Sequence, residues 1–483
     1  WPESINAVTK IIFFGLNYIN NKIVKLIYFF SDKILVSNKG FFKSISEKKS
    51  TTLNFFLGGK NIPIIITIIF FFAMFYVAFF HNTLWHEQDG MWYMYQGKDF
   101  FNGNSQNSQL IGAPIGAPII YSVLENYFGN PFEIQKSISL ISGTVIVIIS
   151  YFIVKNIFGP KIALVSQILI AINPKLQFLS ISALNELMPI ALIISSFYFL
   201  TKNELKNSHF VFIGILLGLS FMIRYQSIFI VLGIFIFLLI RNRKISKNMI
   251  QAGILILIFV LVSSPMLIFN YTTYGEMIEN DTSFYFLALF QSQTPEWRET
   301  VQEMKEEGII SLVLLDHTIF VENYFFNLFT NNPNKLFNFG SLDNISILPV
   351  IPIIGFVTVV LGFLHCIQIA RDYRIWVAII ALIVSTLSVL FIGNITQHYF
   401  AIFLIPLIIL GILSRDKMNK NFLPLLIISI VFFFSLSILP VYRSYQFLPL
   451  LIPFSILNSI FIVEIVSKIS YKQKFLEGKN LEI

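Results

Sequence analysis

Apolar runs of about 20 residues recur along almost the whole chain, and this feature limits the fold more than any other. Inside a bilayer no water is available to the backbone, so a run of that length and composition reads as a transmembrane helix. Such runs fall near 62–80, 137–154, 162–180, 183–201, 209–223, 225–240, 250–269, 346–368, 375–392, 398–413, 422–440 and 447–467, which makes about 12 spans. The expected fold class is therefore all-α, a polytopic membrane protein. Composition agrees: 55% of the 483 residues are hydrophobic and 12% charged. Soluble domains carry roughly 45–50% apolar and about 25% charged residues. A soluble enzyme, a disordered chain and a disulfide scaffold are excluded. The single cysteine, Cys366, lies within an apolar run, so one chain can build neither a disulfide nor a cysteine metal centre.

Charge then orients the spans. Alternating them puts the basic loops 155–161, 202–208, 241–249, 370–374 and 414–421 on one side, together with the tail that carries Lys468, Lys472, Lys474 and Lys479. By the positive-inside rule that side is cytoplasmic. The net charge of +8 is thus a topology signal and not a sign of nucleic-acid binding. Residues 1–61 are expected on the same side, as an amphipathic basic arm lying on the membrane, because Lys10, Lys22, Lys25 and Lys33 interrupt the apolar stretch 5–36. No cleavable signal peptide is expected there. Residues 209–240 read as a hairpin broken near Arg224, since one long helix would move a basic loop outside. Both termini are expected to be cytoplasmic, in a prokaryotic plasma membrane.

Two long loops, 81–136 and 270–345, fall on the outer side, and the second carries eleven acidic residues. Loops of that length in compact folds are commonly functional. The first contains Glu87, Asp89 and Asp99 in a stretch whose aromatics at 90–101 have helical spacing and suit the membrane interface. Asp89 stands just beyond the first span, where a carboxylate can meet a lipid headgroup and a water-borne acceptor together; a solvated loop acid is the alternative. Glu186 lies inside an apolar run, which costs about 2.5–3.5 kcal/mol on insertion scales, so it should face the bundle interior, a wet cavity or the interface. Lys175, Arg224 and Arg443 are outer cations that break the charge rule. They suit either a bound phosphate or snorkelling to lipid phosphates. His398, at the outer start of a span, could hydrogen-bond a phosphate or sugar. His81 and His86 beside Glu87 have no recognised metal-ligand spacing, so the sequence leaves a divalent metal open. Asn270, Asn280, Asn344 and Asn394 each open an Asn-x-Ser/Thr triplet, at a frequency that the abundance of Asn explains.

Several short motifs then occur in order. They are Gly112-Ala-Pro-Ile-Gly-Ala-Pro118 with Tyr121 and Tyr127-Phe-Gly129, Lys155-Asn-Ile-Phe-Gly-Pro-Lys161, Ala171-Ile-Asn-Pro174, Asn185-Glu186, Gly214 to Gly218 with Met222-Ile-Arg224-Tyr225, and Pro265 with Asn270-Tyr-Thr-Thr-Tyr-Gly275. Together they resemble C-type (GT-C) integral-membrane glycosyltransferases, in the branch of protein O-mannosyltransferases and the lipid A aminoarabinose transferase. The resemblance covers 62–275 by motif and 346–467 by its pattern of spans. It implies a GT-C-like module over 62–368, including both outer loops, followed by C-terminal helices and a basic tail over 369–483. Two positions depart from the family pattern: Gly-Ala-Pro replaces a His-Pro-Pro-like start, and His398-Tyr399 replaces an Arg-Tyr pair.

The resemblance implies a catalytic acid at Asp89, with Glu87 and Asp99 as poorer matches, and a recurrent arginine at Arg224. The implied donor is a sugar on a polyprenyl phosphate. Asp89 would take the proton of an acceptor hydroxyl on a protein, lipid or glycan, while Arg224, with Arg443 or His398, stabilises the leaving phosphate and the anomeric centre inverts. An oligosaccharyltransferase-like enzyme is a related alternative, although a Trp-Trp-Asp-Tyr-Gly signature is absent. A twelve-span secondary transporter is the alternative from another class, against which the two halves of the chain look unlike.

Overall fold

The structure is a computed structural model. It describes residues 61–81, 90, 93, 95, 97–98, 114–241, 245–274, 277, 317–328, 332, 421–438, 444–460 and 462–463. The chain divides into residues 1–65 and 66–483. Of the first unit only 61–65 are described, the start of helix α1 (Ile62–Tyr76), which runs on into a π-helical turn, Val77–His81. The basic arm therefore lies outside the described residues, as do the spans expected at 346–368, 375–392 and 398–413.

Every regular element among the described residues is helical. After α1 come α2 (Gly116–Phe128), α3 (Pro131–Phe158), α4 (Pro160–Ala171), α5 (Pro174–Ile181), α6 (Leu187–Leu200), α7 (Asn207–Ile223), α8 (Ser227–Ile240), α9 (Ile245–Tyr274), α10 (His317–Phe326) and α11 (Leu423–Leu436). A 3-10 turn, Ser444–Leu450, leads into the helical stretch that ends at Ile460. Among the described residues, three helical stretches are long and apolar enough to cross a membrane: Ile62–His81, Pro131–Phe158 and Ile245–Thr272. The α4–α5 pair makes a fourth if taken as one span bent by 56°. The chain is an all-α membrane protein.

Local chemistry explains where the helices stop. Gly129 and Gly159 both have φ of +85°, a conformation that costs glycine nothing, and each closes a helix before a proline enters the first turn of the next. Asn130 caps α3 by accepting from the Phe132 N–H at 3.1 Å, and Asn173 caps α5 by accepting from Leu176 N–H at 3.1 Å. The Pro174 interruption of the third apolar run is thus a capped helix start and a bend. Helix α3 reaches back to Pro131, beyond the apolar run that begins at 137, because its polar first turns are satisfied by neighbours. Lys136 Nζ donates to the Ala78 carbonyl at 3.3 Å, and Gln135 Nε2 donates to the Gly90 carbonyl at 2.9 Å.

In the second unit α7 packs between α6 and α9, α3 lies against α4, α5 and α6, and α8 against α11. The α7–α9 crossing is close because Gly214 and Gly218, four residues apart, present no side chains. A Cβ on Gly214 would lie 2.9 Å from Ile258 Cβ, and one on Gly218 would lie 2.8 Å from Val262 Cβ. Small polar side chains bond across the apolar bundle: Ser166 to Ser455 at 2.7 Å, Gln167 Nε2 to Thr67 Oγ1 at 3.1 Å, and Ser220 Oγ to the Pro189 carbonyl at 3.1 Å. Just past the end of α10, Asn327 Nδ2 donates to the Ser437 carbonyl at 3.3 Å.

Candidate active site

Two helix breaks meet inside the bundle. One is the irregular segment 182–186 between α5 and α6, and the other is residues 224–226 between α7 and α8. Irregular backbone in a membrane bundle persists only where protein or a cavity surrounds it. At the second break the Arg224 N–H still donates to the Ser220 carbonyl at 2.8 Å, while its backbone turns extended at φ −152°, ψ 132°. This is the break expected in the hairpin 209–240.

Glu186 and Arg224 form an ion pair across these breaks, with Arg224 Nη2 donating to Glu186 Oε1. The glutamate faces the bundle interior, one of the three settings expected for it. Its side chain is 4% exposed, and that of Arg224 is 21% exposed.

Asn185, which is 1% exposed, accepts at Oδ1 from the Tyr121 hydroxyl at 3.1 Å. Among the described residues its amide nitrogen has no hydrogen-bond partner. Tyr121 comes from α2 and is itself buried. Burial first, then Tyr93 and Glu186, push its hydroxyl well above the ordinary tyrosine value against the opposing influence of Arg224, so it remains a hydrogen-bond donor. Tyr93, Ala117, Tyr121, Ile134 and Ile223 form a small apolar cluster beside these groups.

The first loop reaches the same segment. Residues 90, 93, 95, 97 and 98 are helical, as the spacing of the aromatics suggests. Gly90, Tyr93 and Gly97 are buried, and Tyr95 is exposed. Gly90 lies so close to the Ala183 carbonyl and to Gln135 that a side chain there would displace one of them. Gly97 meets Pro118 and Ser122 in the same way. Lys98 pairs with Glu125 at 2.9 Å. Helix α2 leaves Tyr127 and Phe128 exposed by 79% and 74%, a wet-edge aromatic pair suited to a membrane interface. On the far side of Arg224, Asn270 Nδ2 donates to the Tyr225 hydroxyl at 3.2 Å and to the Met277 carbonyl at 3.1 Å. Asn270 is 3% exposed, so its Asn-x-Thr triplet serves packing and not glycan attachment in the folded chain.

Of the residues singled out from sequence, the structure brings Glu186 and Arg224 together. Lys175 is buried in the first turn of α5. His81 is exposed, edge-on to Tyr76 at 4.7 Å. Glu87, Asp89, Asp99, His86, His398 and Arg443 lie outside the described residues. Among the described residues no group of three or more His, Cys, Asp or Glu side chains could hold a metal ion. Gln135 belongs to no motif, and Tyr121 and Asn185 stand in the sequence only as motif letters. The signal for all three would have been polar atoms too deep for water.

Residues 113–269 match the family model of dolichyl-phosphate-mannose-protein mannosyltransferases. No curated protein matches the chain. Among solved structures, the archaeal oligosaccharyltransferase AglB from Archaeoglobus fulgidus, in complex with an inhibitory peptide and a dolichol-phosphate, is 11% identical with a TM-score of 0.45, over 88% of this chain and 52% of that one. The oligosaccharyltransferase of the same organism in its apo form is 14% identical with a TM-score of 0.36, over 81% of this chain and 56% of that one. The chain thus spans about half the length of the solved structures it matches. The stretch that is similar to the dolichyl-phosphate-mannose-protein mannosyltransferases, 113–269, is the one that holds Tyr121, Asn185, Glu186 and Arg224.

Proposed function

We propose that the protein is a membrane glycosyltransferase that moves a sugar from a polyprenyl-phosphate donor to an acceptor hydroxyl on a protein, lipid or glycan, at the outer face and with inversion. The observation that carries this reading is the Glu186–Arg224 pair, set at two adjoining helix breaks beside the first-loop helices and inside the family-matched stretch. Arginine grips phosphate by a planar fork of donors, and a guanidinium there can take up charge as the phosphate leaves. Asp89, one residue before the anchored Gly90, acts as general base toward the acceptor hydroxyl. Such assistance contributes roughly 10²–10⁴ in rate. The acceptor oxygen attacks the anomeric carbon from the face opposite the phosphate, the carbon–oxygen bond to phosphate breaks, and the proton ends on the carboxylate.

In this reading 62–368 is the catalytic module with its outer loops 81–136 and 270–345. Residues 1–61 are a cytoplasmic surface arm, and 369–483 supply further membrane helices and a basic tail. His398 and Arg443 are further candidates for the phosphate. Incubating the purified protein with polyprenyl-phosphate-linked sugars and a set of hydroxyl acceptors tests the proposal. Transfer supports it, while transfer only from an oligosaccharide diphosphate donor would favour an oligosaccharyltransferase instead.

A further inference from the structure

The ion pair is unequal. The Glu186 carboxylate is the inner member, and the Arg224 guanidinium is the more exposed one. The Arg224 backbone is fixed by the end of α7 through Ser220, so the remaining freedom is where the fork points. Ion pairs sealed in a protein interior are weak contributors to stability, because apolar residues of similar volume serve as well or better. A carboxylate behind an arginine does fix the direction of its planar fork. Segment 182–186, which carries Glu186, is itself pinned from three sides. Tyr121 bonds to Asn185 at 3.1 Å, Ser139 Oγ donates to the Leu184 carbonyl at 2.9 Å, and Gly90 packs on Ala183.

We propose that Glu186 is a positioning residue that aims the Arg224 guanidinium at the donor phosphate, and that segment 182–186 holds this seat in one frame with the first loop through Tyr121–Asn185 and Gly90. The inference rests on the function proposed above. Glu186 touches no substrate in this scheme. Its effect passes through Arg224 and is felt most where charge builds on the leaving phosphate, so it belongs to turnover more than to donor capture.

The test uses the full chain in detergent, with E186Q, E186D, R224K and the E186Q/R224K double variant. Transfer from a polyprenyl-phosphate sugar used by the wild type is followed against donor concentration, and thermal unfolding is followed on the same samples. E186Q should remain folded and lose about 10-fold or more in turnover, the scale of a misplaced catalytic group, with the larger part of the loss in kcat and not KM. E186D, which keeps the charge, should recover part of that loss. The double variant should be no worse than R224K, because the fork that Glu186 aims is already gone. Wild-type kinetics in folded E186Q would overturn the inference while leaving the function intact, and so would losses that multiply in the double variant. A folded wild type inert toward every polyprenyl-phosphate sugar would instead overturn the function, and this inference with it.

Discussion

Arg224 Nη2 donates to Glu186 Oε1 across two helix breaks that lie 38 residues apart in the chain. Each residue ends or precedes a helix, so neither costs an intrahelical hydrogen bond, and each charge meets its opposite where a membrane bundle would otherwise have to expel it.

Taking Arg224 away should therefore unsettle the fold as well as the chemistry. Removing one partner of a buried pair typically costs about 3–5 kcal/mol. R224A should show a clearly lower unfolding temperature in detergent, and E186Q/R224M should regain most of it. Unfolding of R224A at the wild-type temperature would argue against a structural pair. A dead R224A is for this reason poor proof of a phosphate contact; R224K, which keeps the charge and loses the fork, is the informative variant.

The α7–α9 contact offers a second stability test. A methyl group on Gly218 would sit 2.8 Å from Val262 Cβ and 3.1 Å from the Phe259 carbonyl, so G218A should destabilise by about 1–3 kcal/mol through overpacking. Gly253, also in α9, has open space around the corresponding position. G253A should be neutral or gain about 0.5–1 kcal/mol from helix propensity. Equal unfolding temperatures for the two variants would mean that α7 and α9 are not packed in this way.

These tests also mark what the sequence could carry. The helical class is legible in the apolar runs, and the break at Arg224 in the basic loops that flank 209–240, since one long helix would move one of them outside. Its cost in lipid limits Glu186 to the bundle interior, a wet cavity or the interface, and the fold puts it in the interior. Its partner could not be found, since nothing local links positions 186 and 224. Helix α3 starts at Pro131, six residues before its apolar run, because Gln135 and Lys136 find carbonyls on Gly90 and Ala78 that hydropathy does not see. Tyr121 and Asn185 look ordinary in sequence, and only the fold makes them a buried hydrogen-bonded pair.

Membrane orientation is open to a direct check. With Cys366 replaced by serine, S105C should react with an impermeant thiol reagent from outside intact cells. S470C should react only after permeabilisation. Labelling of both from one side would overturn the orientation drawn from the basic loops.

For the proposed base, D89N keeps the size of the side chain and most of its hydrogen bonding but cannot take a proton. Turnover should fall on the order of 10²-fold or more, with donor binding and folding preserved. E87Q and D99N should cost far less. If E87Q is the variant that abolishes activity, the base lies two residues earlier.

The donor is tested by one assay: a sugar labelled on polyprenyl phosphate, incubated with the wild-type protein in detergent and a hydroxyl acceptor, beside uptake of the same sugar into sealed vesicles. A glycosyltransferase should put label on the acceptor with an inverted anomeric centre, and no label should accumulate in the vesicles. Accumulation in vesicles without any transfer would contradict it and point to a transporter.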